Sequence, residues 1–220
     1  MRTADAAAVS TGRRKRSGED FFTLSIERIV RDVLLQEIKS NSEIRTIAII
    51  SPFRNDGKSE LSDQISRAFT AQGSKTLLLN LQNIPSASYR IDPLKSGKLL
   101  EECVAKVDKK GYDCLSLAEI GRNCGFTFDK ASVVSLLGQL KGKYKRIVID
   151  TEPLLEDTSG FLAASASDGV YFICNRASMR TGQPEQYYRK LKEIGVNILG
   201  IIYNNVELKL VKKDQTNNKR

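Results

Sequence analysis

Apolar residues recur in short continuous runs, separated by stretches in which they fall at helical spacing. Runs near 45–50, 76–81, 114–117, 145–150, 170–174 and 198–203 read as strands. They are almost wholly apolar, the pattern of strands covered on both faces. Helices are predicted near 58–72, 95–106, 130–142 and 183–194. Ahead of them, an amphipathic helix near 20–39 carries Phe21, Phe22, Leu24, Ile26, Ile29, Val30, Val33, Leu34 and Ile38. Such alternation predicts an α/β fold of three layers, a mostly parallel sheet with helices on both faces. Sites in such sheets lie beyond the carboxyl ends of the strands. Residues 83–113 follow no clear period.

The first strong strand, Ile47 to Ile50, runs into Ser51-Pro52-Phe53-Arg54-Asn55-Asp56-Gly57-Lys58-Ser59-Glu60, and a helix follows with Leu61, Ile65, Ala68 and Phe69. Strand, loop and helix in this order are the setting of a phosphate-binding loop in a P-loop NTPase fold. Gly57 lets the backbone approach a phosphate, the helix start offers unpaired N–H groups, Lys58 supplies a cation and the Ser59 hydroxyl can ligate Mg2+. Gly-Lys-Ser alone is weak, since a chain of this length contains such a triplet by chance roughly one time in ten. A second element supports it: Tyr144-Lys145-Arg146-Ile147-Val148-Ile149-Asp150 ends in a carboxylate where a Walker-B aspartate reaches Mg2+ through water. The plainer alternatives are a solvated helix-start lysine at 58 and a turn-forming aspartate at 150.

Composition narrows the field. At 220 residues and 40% apolar, the chain suits one sizeable domain, 19–206, between a basic N-terminal tail, 1–18, and a basic C-terminal tail, 207–220. Histidine is absent, which excludes Ser-His-Asp triads, Cys-His dyads and His-bound zinc. Cys103, Cys114, Cys124 and Cys174 form no Cys-x-x-Cys pair and read as reduced, mostly buried residues of a cytosolic protein. No run approaches the length of a membrane span, and no signal-peptide core follows Arg13 to Arg16. Of the +9 net charge, residues 1–18 and 209–220 carry +4 each, leaving +1 for the body. Nucleic-acid binding by a folded basic groove is therefore not indicated. The tails are expected to be disordered, and suit either an anionic membrane surface or simple solubilisation.

With these motifs in place, residues 40–206 resemble the cytoplasmic domain of the bacterial tyrosine kinases (BY-kinases) that act with polysaccharide co-polymerases. These kinases are relatives of the MinD and ParA deviant-Walker ATPases. The matching segments occur in order: Ser51 to Ser59, Lys75 to Gln82, Arg146 to Pro153, Ala166 to Ile173, and Gly195 to Val206. The resemblance implies ATP or ADP with Mg2+ as ligand. It assigns phosphate contacts to Asn55, Asp56, Gly57, Lys58, Ser59 and Glu60, adenine to Asn204, and the metal to Ser59 and Asp150. It further implies a partner in the cytoplasmic segment of a membrane polysaccharide co-polymerase, homo-oligomer formation, and recruitment to the inner face of the cell membrane.

Several departures limit what carries over. Where the family has two aspartates at the end of its second Walker strand, this chain has Asn80 and Gln82. An amide cannot act as a general base and is a poorer Mg2+ ligand, so phosphotransfer is expected to be crippled. Glu60 sets a carboxylate beside the phosphates, unless it turns outward as a dipole-favoured helix-start residue. Asn55 replaces a glycine but tolerates left-handed backbone. The C-terminal tail lacks the family's tyrosine cluster, Tyr187 and Tyr188 read as packing residues, and Ser25, Arg28 and Arg31 stand where the oligomerisation helix has Glu, Arg and Arg. The leading expectation is a catalytically degenerate regulatory or scaffold partner in exopolysaccharide or capsule biosynthesis and export. An active tyrosine autokinase, with Asp150, Asp56 or Glu152 as base, and a MinD/ParA-type positioning ATPase are the alternatives. For the latter, Arg54 is the nearest candidate to the extra P-loop lysine.

Overall fold

The computed structural model describes residues 7–9, 17–82, 104–107, 111–117 and 129–204, with the backbone alone for 7–9, 17–21 and 104–107. Among these residues the strands are β1 (Ala7–Val9), β2 (Thr46–Ile50), β3 (Thr76–Asn80), β4 (Val104–Val107), β5 (Tyr112–Ser116), β6 (Arg146–Asp150), β7 (Gly169–Asn175) and β8 (Ile198–Asn204). They form one sheet in the order β1-β8-β7-β2-β6-β3-β5-β4. Every neighbouring pair is parallel except the edge pair β4 and β5. The helices are α1 (Ser17–Ser40), α2 (Lys58–Ala71), α3 (Lys130–Lys141), α4 (Ser159–Ala166), α5 (Arg176–Met179) and α6 (Gln183–Glu193).

Alternation along the central strands divides the core in two. Ala48 and Ile50, with Leu77, Leu79, Ile147 and Ile149, face Val133, Leu136, Leu137 and Leu140 of α3. Ile47 and Ile49, with Val148, Tyr171 and Ile173, face Ile26, Ile29, Val30 and Val33 of α1 and Leu61, Ile65 and Phe69 of α2. Each fully buried Leu or Ile contributes roughly 1.5–3 kcal/mol, so both faces of the sheet are needed to hold it. This is the three-layer P-loop-type α/β fold expected from the sequence.

One buried ion pair fastens α1 to the sheet. Arg146, 2% exposed, donates to both carboxylate oxygens of Glu37 (2.6 and 2.8 Å) and to the Ile44 carbonyl (2.5 Å), and its guanidinium lies over the Phe69 ring. Arg54 and Glu156 form a second, exposed pair, with Arg54 Nε donating across 2.6 Å between the loop after β2 and the loop after β6.

Three segments differ from the periodicity or add to it. Val104–Val107, placed in a helix ending near 106, is a strand paired antiparallel with β5, while residues 95–103 lie outside the described residues. Antiparallel pairing with β5 supplies hydrogen-bond partners that a local pattern does not reveal. Ser159–Ala166 forms a helix where none was read. Ala7–Val9, inside the segment assigned to the N-terminal tail, runs parallel to β8. Among the described residues neither Cys114 nor Cys174 is in a disulfide, and Cys174 is buried, whereas Cys103 and Cys124 lie outside the described residues. Tyr187 and Tyr188 pack against Phe161 and Phe172 with ring centroids 6.0 Å apart in each pair. No described helix is long and apolar enough to cross a membrane.

Candidate functional site

The loop between β2 and α2 opens at the carboxyl end of the parallel sheet. Asn55 takes left-handed backbone at φ 61, and Gly57, the N-cap of α2, sits at φ 96. No side chain caps α2, so the N–H groups of its first turn remain available at the mouth of a cleft. Arg54, Asn55, Gly57, Lys58, Ser59, Glu60, Gln82, Glu152 and Pro153 line that cleft, which has a volume of about 280 Å3. Uncapped N–H groups and a cationic lysine suit the oxygens of a phosphate.

Lys58 is largely buried, and its ammonium donates to Ser51 Oγ (2.9 Å) and the Phe53 carbonyl (3.2 Å). Burial lowers its pKa, opposed by Asp150, Asp56, Glu152 and Glu156 around it. Ser59 and Glu60 are both exposed. Asp56, in contrast, is fully buried within the loop. Burial raises its pKa against a Phe53 N–H donor at 3.3 Å, and its Oδ1 has no hydrogen-bond partner among the described residues. Asp56 thus faces inward and does not line the cleft.

Asn204 arrives from the end of β8, far away in sequence. Its Nδ2 donates to the Asp56 carbonyl at 2.8 Å, and the side chain presses on Gly57. The structure therefore places this residue, to which the resemblance gives adenine, against the back of the loop.

Across the cleft, Asn80 and Asp150 are register partners on β3 and β6. Asn80 Oδ1 accepts the Gln82 backbone N–H at 2.8 Å, shaping the turn after β3. Gln82 Nε2 then donates to Ser59 Oγ at 2.8 Å and to Asp150 Oδ2 at 3.1 Å. Asp150 is 3% exposed, and its Oδ1 has no hydrogen-bond partner among the described residues. Burial pushes its pKa up to about 6 despite the Ser59 hydroxyl, the Lys58 charge and the Gln82 amide, which all favour the carboxylate.

Ser59 and Asp150 thus come together as a metal site requires, but a hydrogen-bond donor lies between them. An amide N–H and a divalent cation both seek those two oxygens, and both cannot hold them at once. The arrangement fits phosphate oxygens and, with Gln82 where it stands, does not fit Mg2+.

Three features escaped the sequence pattern: Ser51 as acceptor for Lys58, the Arg54 to Glu156 pair, and Gln82 as a bridge from loop to β6. Each joins segments distant in sequence, or relies on a backbone turn that residue spacing alone does not disclose.

The fold and this loop are those of a P-loop-type α/β domain. No family model matches the chain. Its sequence is similar to the tyrosine-protein kinase CpsD of Streptococcus agalactiae, 21% identical over 178 residues, 76% of this chain and 78% of that protein. It is also similar to the tyrosine-protein kinase ptk of Acinetobacter johnsonii, 20% identical over 178 residues, 76% of this chain and 24% of that longer protein. Among solved structures, the kinase domain of VpsO superposes with a TM-score of 0.63 at 23% identity, covering 88% of this chain and all of that one. The septum site-determining protein MinD of Pyrococcus horikoshii, complexed with Mg-ADP, gives 0.54 at 20% identity, covering 73% and 70%. The chain is thus similar in sequence to bacterial tyrosine kinases and shares its fold with P-loop proteins that include MinD.

Proposed function

We propose that the chain is a catalytically degenerate BY-kinase-like protein that binds the phosphates of a nucleotide and acts as a regulatory scaffold. Its partner in this reading is the cytoplasmic segment of a membrane polysaccharide co-polymerase, which would recruit it to the inner face of the cell membrane. The observation that carries the proposal is the pair of amides at the end of β3. Asn80 is spent on shaping a turn, and Gln82 bonds to the serine and aspartate that a phosphotransferase needs for metal. Neither amide can take a proton from an attacking hydroxyl.

In this reading Gly57, Lys58, Ser59 and the N-terminal turn of α2 hold phosphates, with Asn55, Asp56 and Glu60 completing the loop and Asn204 setting its position. Similarity to tyrosine kinases supports the nucleotide, and the resemblance of residues 40–206 to the BY-kinases supports the partner. A surviving autokinase is the second reading, favoured by Glu152, a carboxylate that lines the cleft. The positioning-ATPase reading is weaker, because Arg54 is engaged with Glu156 of its own chain.

Calorimetric titration of ADP and ATP into wild type and Lys58→Ala tests the binding part. Saturable heat from wild type that disappears in Lys58→Ala supports the site. Equal heat from both proteins, or none from a folded wild type, rejects it. Capture of the protein by a membrane-embedded co-polymerase, and not by vesicles of the same lipid alone, tests the scaffold part.

A further inference from the structure

We propose that the Gln82 side-chain amide takes the place of the divalent cation in this P-loop, so that phosphate binding here is independent of Mg2+. The inference rests on the nucleotide-binding reading above and specifies its ion requirement. Gln82 Nε2 lies within hydrogen-bond distance of both oxygens that would otherwise face the metal, Ser59 Oγ at 2.8 Å and Asp150 Oδ2 at 3.1 Å. An amide NH2 carries two N–H donors and no acceptor lone pair, so both of its protons are matched by this pair of oxygens. A side-chain carboxylate at 82 would turn oxygen toward oxygen, a repulsion that a cation between them would relieve.

The turn is built to present the amide. Asn80 Oδ1 fixes the Gln82 backbone N–H, and the Leu81 N–H donates to the Asp150 carbonyl at 2.9 Å, tying the strand end to β6. Entry of a cation would require Gln82 to swing away and break two hydrogen bonds. Phosphate binding is left to Lys58 and the backbone N–H groups, neither of which needs a metal.

The test is ADP binding by calorimetry, in MgCl2 and in EDTA, to wild type and Gln82→Asp, with circular dichroism to verify folding. Electron paramagnetic resonance of Mn2+ in the presence of ADP serves as a direct metal readout. Wild type should give dissociation constants equal within about twofold in the two buffers and no bound-Mn2+ signal. Gln82→Asp should bind ADP at least about tenfold more tightly with Mg2+ than in EDTA, and should take up Mn2+. Tenfold tightening of wild-type binding by Mg2+ overturns the inference while leaving the nucleotide site standing. Mg2+-independent binding by both proteins removes Gln82 as the cause and also overturns it. Absence of ADP binding in both folded proteins rejects the nucleotide site itself and this inference with it.

Discussion

A Cβ on residue 57 would fall 1.9 Å from Nδ2 of Asn204, so the tightest point of the phosphate loop is set by a side chain from the last described strand. The same Nδ2 donates to the Asp56 carbonyl, so contact and hydrogen bond fix one geometry together. Gly57→Ala therefore suffers twice, from the left-handed φ and from the clash. It should lose about 1–3 kcal/mol in urea denaturation and abolish ADP binding. Asn204→Ala should cost about 1–2 kcal/mol by orphaning the carbonyl. The double variant should be less destabilised than the two losses added, since the clash disappears with Asn204. Strict additivity contradicts this coupling.

Glu37 is the counter-charge to a guanidinium that has left water. Removing it by Glu37→Ala strands Arg146 beneath α1 and should destabilise the protein by about 3–5 kcal/mol. Replacing both partners, as Glu37→Leu with Arg146→Met, should recover most of that loss. Urea midpoints measure both, and a loss under 1 kcal/mol for Glu37→Ala would show that Arg146 finds another acceptor or water.

Acid sensitivity should be traceable to Asp168. Its carboxylate accepts from the N–H groups of Arg45 (2.9 Å) and Thr46 (2.8 Å) and from the Lys141 ammonium (2.8 Å). Burial opposes ionisation, but the Lys141 and Thr46 donors outweigh it and hold the pKa below the ordinary 3.8. A folded pKa below the unfolded one means that the carboxylate's stabilisation is complete above the ordinary value and is lost as pH falls through the folded one. The stability gap between wild type and Asp168→Asn should be widest above about pH 5 and narrow toward about pH 3. A gap constant across that range contradicts the assignment.

Arg54 and Glu156 form a rim contact whose side chains are 65% and 38% exposed, so their link should matter little to stability. Glu156→Gln should leave the urea midpoint within about 0.5 kcal/mol of wild type. It should also tighten ADP binding by freeing the guanidinium for phosphate. Weaker ADP binding in this variant counts against a role for Arg54 at the cleft.

What the sequence revealed and what it hid follow from the range of the interactions. The apolar run Ile47 to Ile50, the Gly-Lys-Ser triplet and the spacing of Leu61, Ile65 and Phe69 are local, so β2, the loop and α2 could be read directly. Asp150 at a strand end was equally plain, because a buried parallel strand is a continuous apolar run. Gln82 was visible as a substitution, but its bond to Asp150 depends on β3 and β6 being neighbours, which no periodicity states. Asn204 against Gly57 is hidden for the same reason. Val104–Val107 was misread because an edge strand of four residues owes its conformation to its partner, β5, more than to its own pattern.

With amides at 80 and 82, the loop should be a phosphate cradle without phosphoryl transfer. The most direct measurement is incubation of the purified protein with radiolabelled ATP, scoring both released phosphate and phosphotyrosine, alongside Lys58→Ala. Wild type should be indistinguishable from Lys58→Ala in both readouts. Robust transfer by wild type that vanishes in Lys58→Ala would contradict it.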